Sequence, residues 1–218
     1  MTGTDTASRA TGRRLPLGQV VLMAAVPVLT AAVVAPHPAE PRDIRELAGS
    51  TATWLNVHLA LLVAVPLIGV VVWRLLRDVD NRAATVSRLL LAPAVALYAA
   101  FDALLGIGTG VLMRGVHHLP DHHHHDGAWA LAQHWWDVPL PIMLVSIFGP
   151  LCWALAIGAA ALAHRLAGSH WLVVVGLALT AVVFAWGHPG VTGVIAMGGL
   201  LTAVLVNELR PWRAEAAS

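Results

Sequence analysis

The chain has 218 residues, of which 58% are hydrophobic and 11% charged, with a net charge of +1. A soluble globular domain carries about a quarter charged residues, so this composition excludes that class and makes lipid the expected solvent. The small net charge and the lack of a long basic run exclude a nucleic-acid surface, and the single cysteine, Cys152, excludes an intrachain disulfide or a thiolate metal cluster.

Six runs are apolar enough to be predicted as membrane spans, for which about 20 helical residues cross a hydrocarbon core about 30 Å thick. They are Leu17 to Ala35, Thr51 to Leu75, Leu89 to Met113, Val138 to Ala163, Trp171 to Gly187 and Val191 to Asn207. The first follows Arg13 and Arg14 like a signal-peptide core, but Pro36 directly after Ala35 is a poor cleavage context, which predicts a retained span. Between the first two spans, Glu40, Arg42, Asp43, Arg45 and Glu46 alternate in sign and predict a short, solvated surface helix. The segment RDVDNR after the second span predicts a charged loop at the membrane surface. From Arg114 to Asp137 runs the longest connection, in which the DHHHHD run predicts a flexible histidine-rich loop and AWALAQHWWD an interfacial helix. The last two runs are short and meet at GHPG, so one broken helix is the competing count.

Ten of the thirteen arginines fall on one side of these spans: Arg9, Arg13, Arg14, Arg74, Arg77, Arg82, Arg88, Arg165, Arg210 and Arg213. Positively charged loops resist translocation, so this side is predicted to be cytoplasmic, with both termini inside and an even number of crossings. The resulting organisation is a cytoplasmic tail over 1–16, a transmembrane bundle over 17–207 with the histidine-rich extracytoplasmic loop 114–137, and a second cytoplasmic tail over 208–218. The predicted class is an all-α, polytopic helix bundle in the cell membrane. Ten of the twelve histidines lie on its extracytoplasmic side or in the half of the bundle nearest to it.

Asp102 is the costliest residue in the chain, because a charge at the centre of a span costs at least about 2.5 kcal/mol unless it is paired or hydrated. His58 lies about 10 Å into the preceding span from the extracytoplasmic end. A short loop joins these two spans, which makes them antiparallel neighbours and His58 the natural partner of Asp102. Such a pair can relay a proton, orient a metal ligand or lock two helices together. Farther out, His134 and Asp137 are three apart on one helical face, and His188 opens the turn between the last two spans. If these converge with His58, three imidazoles and a carboxylate suit zinc, copper or iron, and two histidines from different spans can hold a haem. The glycines of GIGTG, Gly106 to Gly110, predict close helix packing.

The segments TWLNVH (Thr53 to His58), FDALLGIGTG (Phe101 to Gly110) and GHPGVTG (Gly187 to Gly193) resemble a group of uncharacterised small bacterial multi-span integral membrane proteins. That resemblance implies the architecture and brings no activity. A fainter likeness, to copper-handling assembly factors for terminal oxidases, lacks their paired intramembrane histidines, and no function is transferred from it. The leading expectation is a binding or accessory protein with a His58 and Asp102 site, and with His58, His134, Asp137 and His188 as ligands for a transition metal or haem. Its rivals are a membrane-embedded enzyme using His58 and Asp102 as acid and base on a lipophilic substrate, and a structural subunit of a membrane complex. The lipid bilayer is the one partner the composition requires.

Overall fold

A computed structural model describes residues 15–119, 122–137, 140–186 and 190–209 of the chain. Among these, the regular structure is entirely helical. In chain order the α-helices are α1 Leu17–Val34, α2 Thr51–Leu75, α3 Arg82–Phe101, α4 Thr109–His117, α5 His122–Trp136, α6 Leu140–Leu166, α7 Trp171–Trp186 and α8 Gly190–Leu209. A 3-10 turn, Ile44–Leu47, lies between α1 and α2, and a π-helical segment, Asp102–Gly108, joins α3 to α4 without a break.

Five of these helical runs are long and apolar enough to cross a membrane: Leu17–Val34, Thr51–Leu75, Arg82–His117, Met143–Leu166 and Gly190–Leu209. Helix α7 is as apolar but has only 16 residues. Large apolar side chains cover the outside of the bundle, among them Leu22 at 69%, Leu29 at 64% and Val63 at 63% exposure. Apolar cover this extensive is what a lipid-facing surface has and a water-facing one avoids. Pro27, Pro66, Pro93 and Pro150 sit inside helices, where neighbouring helices can satisfy the backbone groups that a proline frees.

The terminal apolar stretch, left open between two helices and one broken helix, forms two separate antiparallel helices. Thr180 of α7 donates to the Ala196 carbonyl of α8, and Gly176 and Gly199 face each other so closely that a methyl group on either would meet the other's carbonyl oxygen. Small residues permit such contact where no hydrophobic force separates helices from lipid.

The α2–α3 hairpin positions the polar interior. Its loop is closed by Asn81, whose side chain accepts the Ala84 N–H as the α3 N-cap and donates to the Ala163 carbonyl of α6. Arg88 donates to the Leu76 and Val79 carbonyls beyond the end of α2, while Arg77 makes a two-pronged pair with Glu208 of α8 at 2.7 and 2.9 Å. Ser87 ties α3 to α6 through the Ala156 carbonyl. The RDVDNR segment, expected to be a charged surface loop, is thus a junction of four helices, α2, α3, α6 and α8.

Two further segments differ in detail from expectation. The 3-10 turn and the two residues before it keep the charged side chains of Arg42, Asp43, Arg45 and Glu46 exposed as expected, but the turn is also anchored: Ile44 and Leu47 are fully buried against Trp54, Met113 and Ala132, and the Ile44 N–H is held by Gln133. The histidine run is not a loop, because His122 to His125 form the first turn of α5, continuous with the Trp-bearing segment. The tails 1–16 and 208–218 lie almost wholly outside the described residues.

Candidate functional site

From the α2–α3 loop, His58 lies 17 residues back along α2 from Leu75, and Asp102 lies 20 residues forward from Arg82. At 1.5 Å per residue these are rises of about 26 and 30 Å, so the two antiparallel helices bring both residues to nearly the same depth. The His58 Nε2 atom stands 3.8 Å from Asp102 Oδ1, and the two side chains are 3% and 0% exposed. The contact is possible because residue 106 is glycine: a methyl group there would overlap the His58 ring. Gly108 and Gly110 allow the same close approach to Trp135 and Leu55. All three glycines of GIGTG therefore serve helix packing.

The π-helical turn was not legible in the sequence. Widening the helix changes which backbone carbonyls its own amides can reach, and the Gly106 carbonyl accepts a hydrogen bond from Trp54 Nε1 at 2.8 Å. Trp54 then packs on His58, with ring centroids 4.5 Å apart. On the π segment and beside it, both Asp102 carboxyl oxygens and the Thr109 hydroxyl are buried without a hydrogen-bond partner among the described residues, as is Trp135 Nε1.

Sequence reasoning missed His37, which follows α1 and is 6% exposed. Its Nε2 lies 3.4 Å from His58 Nε2, and its ring packs edge-on against Trp54 and His58. The available signal was positional: His37 lies three residues beyond the last residue of α1, near the end of the bundle where His58 enters α2.

The hydrogen-bond pattern determines the ring chemistry. His58 Nδ1 contacts the Trp54 carbonyl at 2.7 Å, and His37 Nδ1 contacts the Pro38 carbonyl. A carbonyl oxygen can only accept, so each Nδ1 carries the hydrogen, and each neutral ring keeps its lone pair on Nε2. The two Nε2 atoms therefore approach one another with the Asp102 carboxyl group beside them. One proton or one cation between the nitrogens, balanced by Asp102, makes that contact attractive.

Burial holds His37 below the ordinary histidine value, with the Pro38 hydrogen bond and the Glu40 charge acting in the opposite direction. Because its folded pKa is lowered, the unfolded chain binds a proton that the folded chain does not once the pH falls below the usual histidine value of 6.5. Stability is therefore complete above that value and declines as pH falls toward the folded pKa. Thermal unfolding at intervals from about pH 8 to pH 5 should show this decline, with a shallower slope in His37→Gln. Identical slopes would show that His37 does not carry the dependence.

Of the four expected ligands, three lie among the described residues, and these three form no group that could hold a metal ion. His134 and Asp137 are exposed at the end of α5, where Asp137 accepts from Gln133. His188 lies outside the described residues. Among the described residues, no group of three or more His, Cys, Asp or Glu side chains could hold a metal ion. The reason is directional: the His58 Nε2 faces Asp102 and His37 inside the bundle, whereas His134 and Asp137 face outward. No family model, curated protein or solved structure matches this chain. What it does must therefore be argued from its own residues.

Proposed function

We propose that this chain is a multi-pass protein of the cell membrane, with six spans and both termini cytoplasmic, that acts as a binding or accessory protein through a proton-exchanging site. His37, His58 and Asp102 form that site in the extracytoplasmic half of the bundle. The observation that carries this reading is the pair of opposed Nε2 atoms 3.4 Å apart, each fixed as an acceptor by a carbonyl on its own Nδ1. Such a pair binds one proton between its nitrogens, and the nearby Asp102 carboxylate supplies the balancing charge. A proton held this way can be given to, or taken from, a polar group of a ligand entering from the membrane. That exchange is also the chemistry an acid–base enzyme acting on a lipophilic substrate would need.

A metal-holding accessory protein is the second reading, and the same spacing favours it. Two nitrogens at about 2.0 to 2.1 Å from a tetrahedral zinc ion are about 3.3 Å apart, close to the separation found here. Zinc or copper would be ligated by His37 and His58, with Asp102 as a balancing charge; a haem, whose two axial nitrogens must stand on opposite faces of the macrocycle, does not fit between rings in direct contact. The lack of a third ligand among the described residues places this reading second.

One experiment separates them: histidine-selective nitrogen NMR of the full chain in lipid nanodiscs, with metal analysis of the same sample. The first reading expects a metal-free protein in which the His37 and His58 signals change together as a single proton enters, and expects Asp102→Asn to require a lower pH for that change. Stoichiometric metal that survives removal of residues 121–126 but is lost in His58→Ala would establish the second. Independent titration of the two rings, unaffected by Asp102→Asn, would leave the pair as a structural lock.

A further inference from the structure

Helices α1 and α2 run antiparallel, and along their lipid-facing side they leave a groove of about 670 Å³. Its wall follows α2 from Ala60 to Arg74, a rise of about 21 Å. The floor and rims are apolar, with Leu22, Val26, Leu29, Val63 and Leu67 prominent. Three polar side chains line it: Gln19, Thr30 and Arg74. The Thr30 hydroxyl donates to the Val26 carbonyl of its own helix, so it adds no polarity to the wall. Gln19 near the start of α1 and Arg74 near the end of α2 mark the same mouth, beside Trp73, whose half-exposed ring suits the headgroup boundary.

Polarity is therefore graded along the groove, cationic at one mouth and hydrocarbon-like for the rest of its length. Arg74 is exposed, and among the described residues no carboxylate forms a salt bridge with it; the neighbouring Arg77 takes both Asp78 and Glu208. We propose that this groove binds one anionic phospholipid, with an acyl chain lying between α1 and α2 and the phosphate held by the Arg74 guanidinium and the Gln19 amide. A guanidinium offers a phosphate paired, charge-assisted donors, whereas a zwitterionic headgroup brings its own cation to the same place. A second helix packed along the groove would bury Arg74 with no counter-charge. This proposal stands apart from the proton-exchanging site and survives if that reading fails.

Native mass spectrometry of the full, delipidated chain tests it, with phosphatidylglycerol and phosphatidylcholine of identical acyl chains as probes. We expect a one-to-one adduct retained about fivefold better with phosphatidylglycerol, which is the scale of one arginine beside an anionic lipid. Arg74→Ala should abolish that preference, and Leu67→Trp, which fills the groove from an exposed position, should weaken both adducts. Equal retention of the two lipids by the unaltered protein would overturn the proposal, as would a preference that survives Arg74→Ala. A lipid-free dimer that Leu67→Trp separates would assign the groove to a second copy of the chain and overturn it equally.

Discussion

Gly106→Ala should destabilise the protein by about 3 kcal/mol, the upper part of the range for forcing an extra carbon into a packed interior. The added methyl group would occupy the space of the His58 ring, and that ring is tethered by its Nδ1 to the Trp54 carbonyl. The clash can be relieved only by moving α2 away from the π-helical segment. Such a movement stretches the Trp54 hydrogen bond to the Gly106 carbonyl and separates His58 from Asp102. Thermal unfolding of purified protein in detergent, followed by circular dichroism, measures the loss. Gly115→Ala is the control, because a methyl group there meets nothing within 4 Å and should gain helix propensity of up to about 1 kcal/mol. Adding His58→Ala to Gly106→Ala should recover only part of the loss, because it removes the two ring atoms that the methyl group would overlap most but keeps the Cβ contact at 2.7 Å. A Gly106→Ala protein as stable as the Gly115→Ala control would refute the packing of α2 on this segment.

Gly176→Ala is the second substitution expected to have a large effect, and its clash is harder to relieve. Its methyl group would press on the Gly199 carbonyl oxygen, a backbone atom with no rotamer to escape into. Helices α7 and α8 must then part, at a cost of about 3 kcal/mol, and Thr180 loses its 2.9 Å hydrogen bond to the Ala196 carbonyl. In the same unfolding experiment Gly198→Ala should be near neutral, since its added carbon meets open space. The adjacent positions Gly198 and Gly199 would thus behave oppositely despite being the same residue type one position apart on the same helix. Equal stability of Gly176→Ala and Gly198→Ala would mean that the two helices do not meet at these glycines.

Much of the His58 and Asp102 geometry could be anticipated because two simple quantities fix it. A short loop makes neighbouring spans antiparallel, and a constant rise per residue sets the depth of each side chain. Neither quantity locates His37, which enters from a different helix and is turned inward by its contacts with Pro38, Trp54 and His58. The π-helical turn was equally hidden, since one widened turn leaves the apolar pattern of a span unchanged. The outward direction of His134 and Asp137 was hidden for a related reason: a three-residue spacing places two side chains on one helical face but does not say which way that face points.

The sequence by itself determined the helical class and the long apolar helices, because a helix satisfies its own backbone amides and an uncharged apolar run of that length has no need of water. Tertiary structure alone decided that His37 rather than His134 joins His58, that both Nε2 atoms are acceptors, and that the glycines at 106 and 176 are points of contact. Those outcomes depend on the relative rotation of helices and on single carbonyl positions, and residues far apart in the chain settle them together once the bundle has packed.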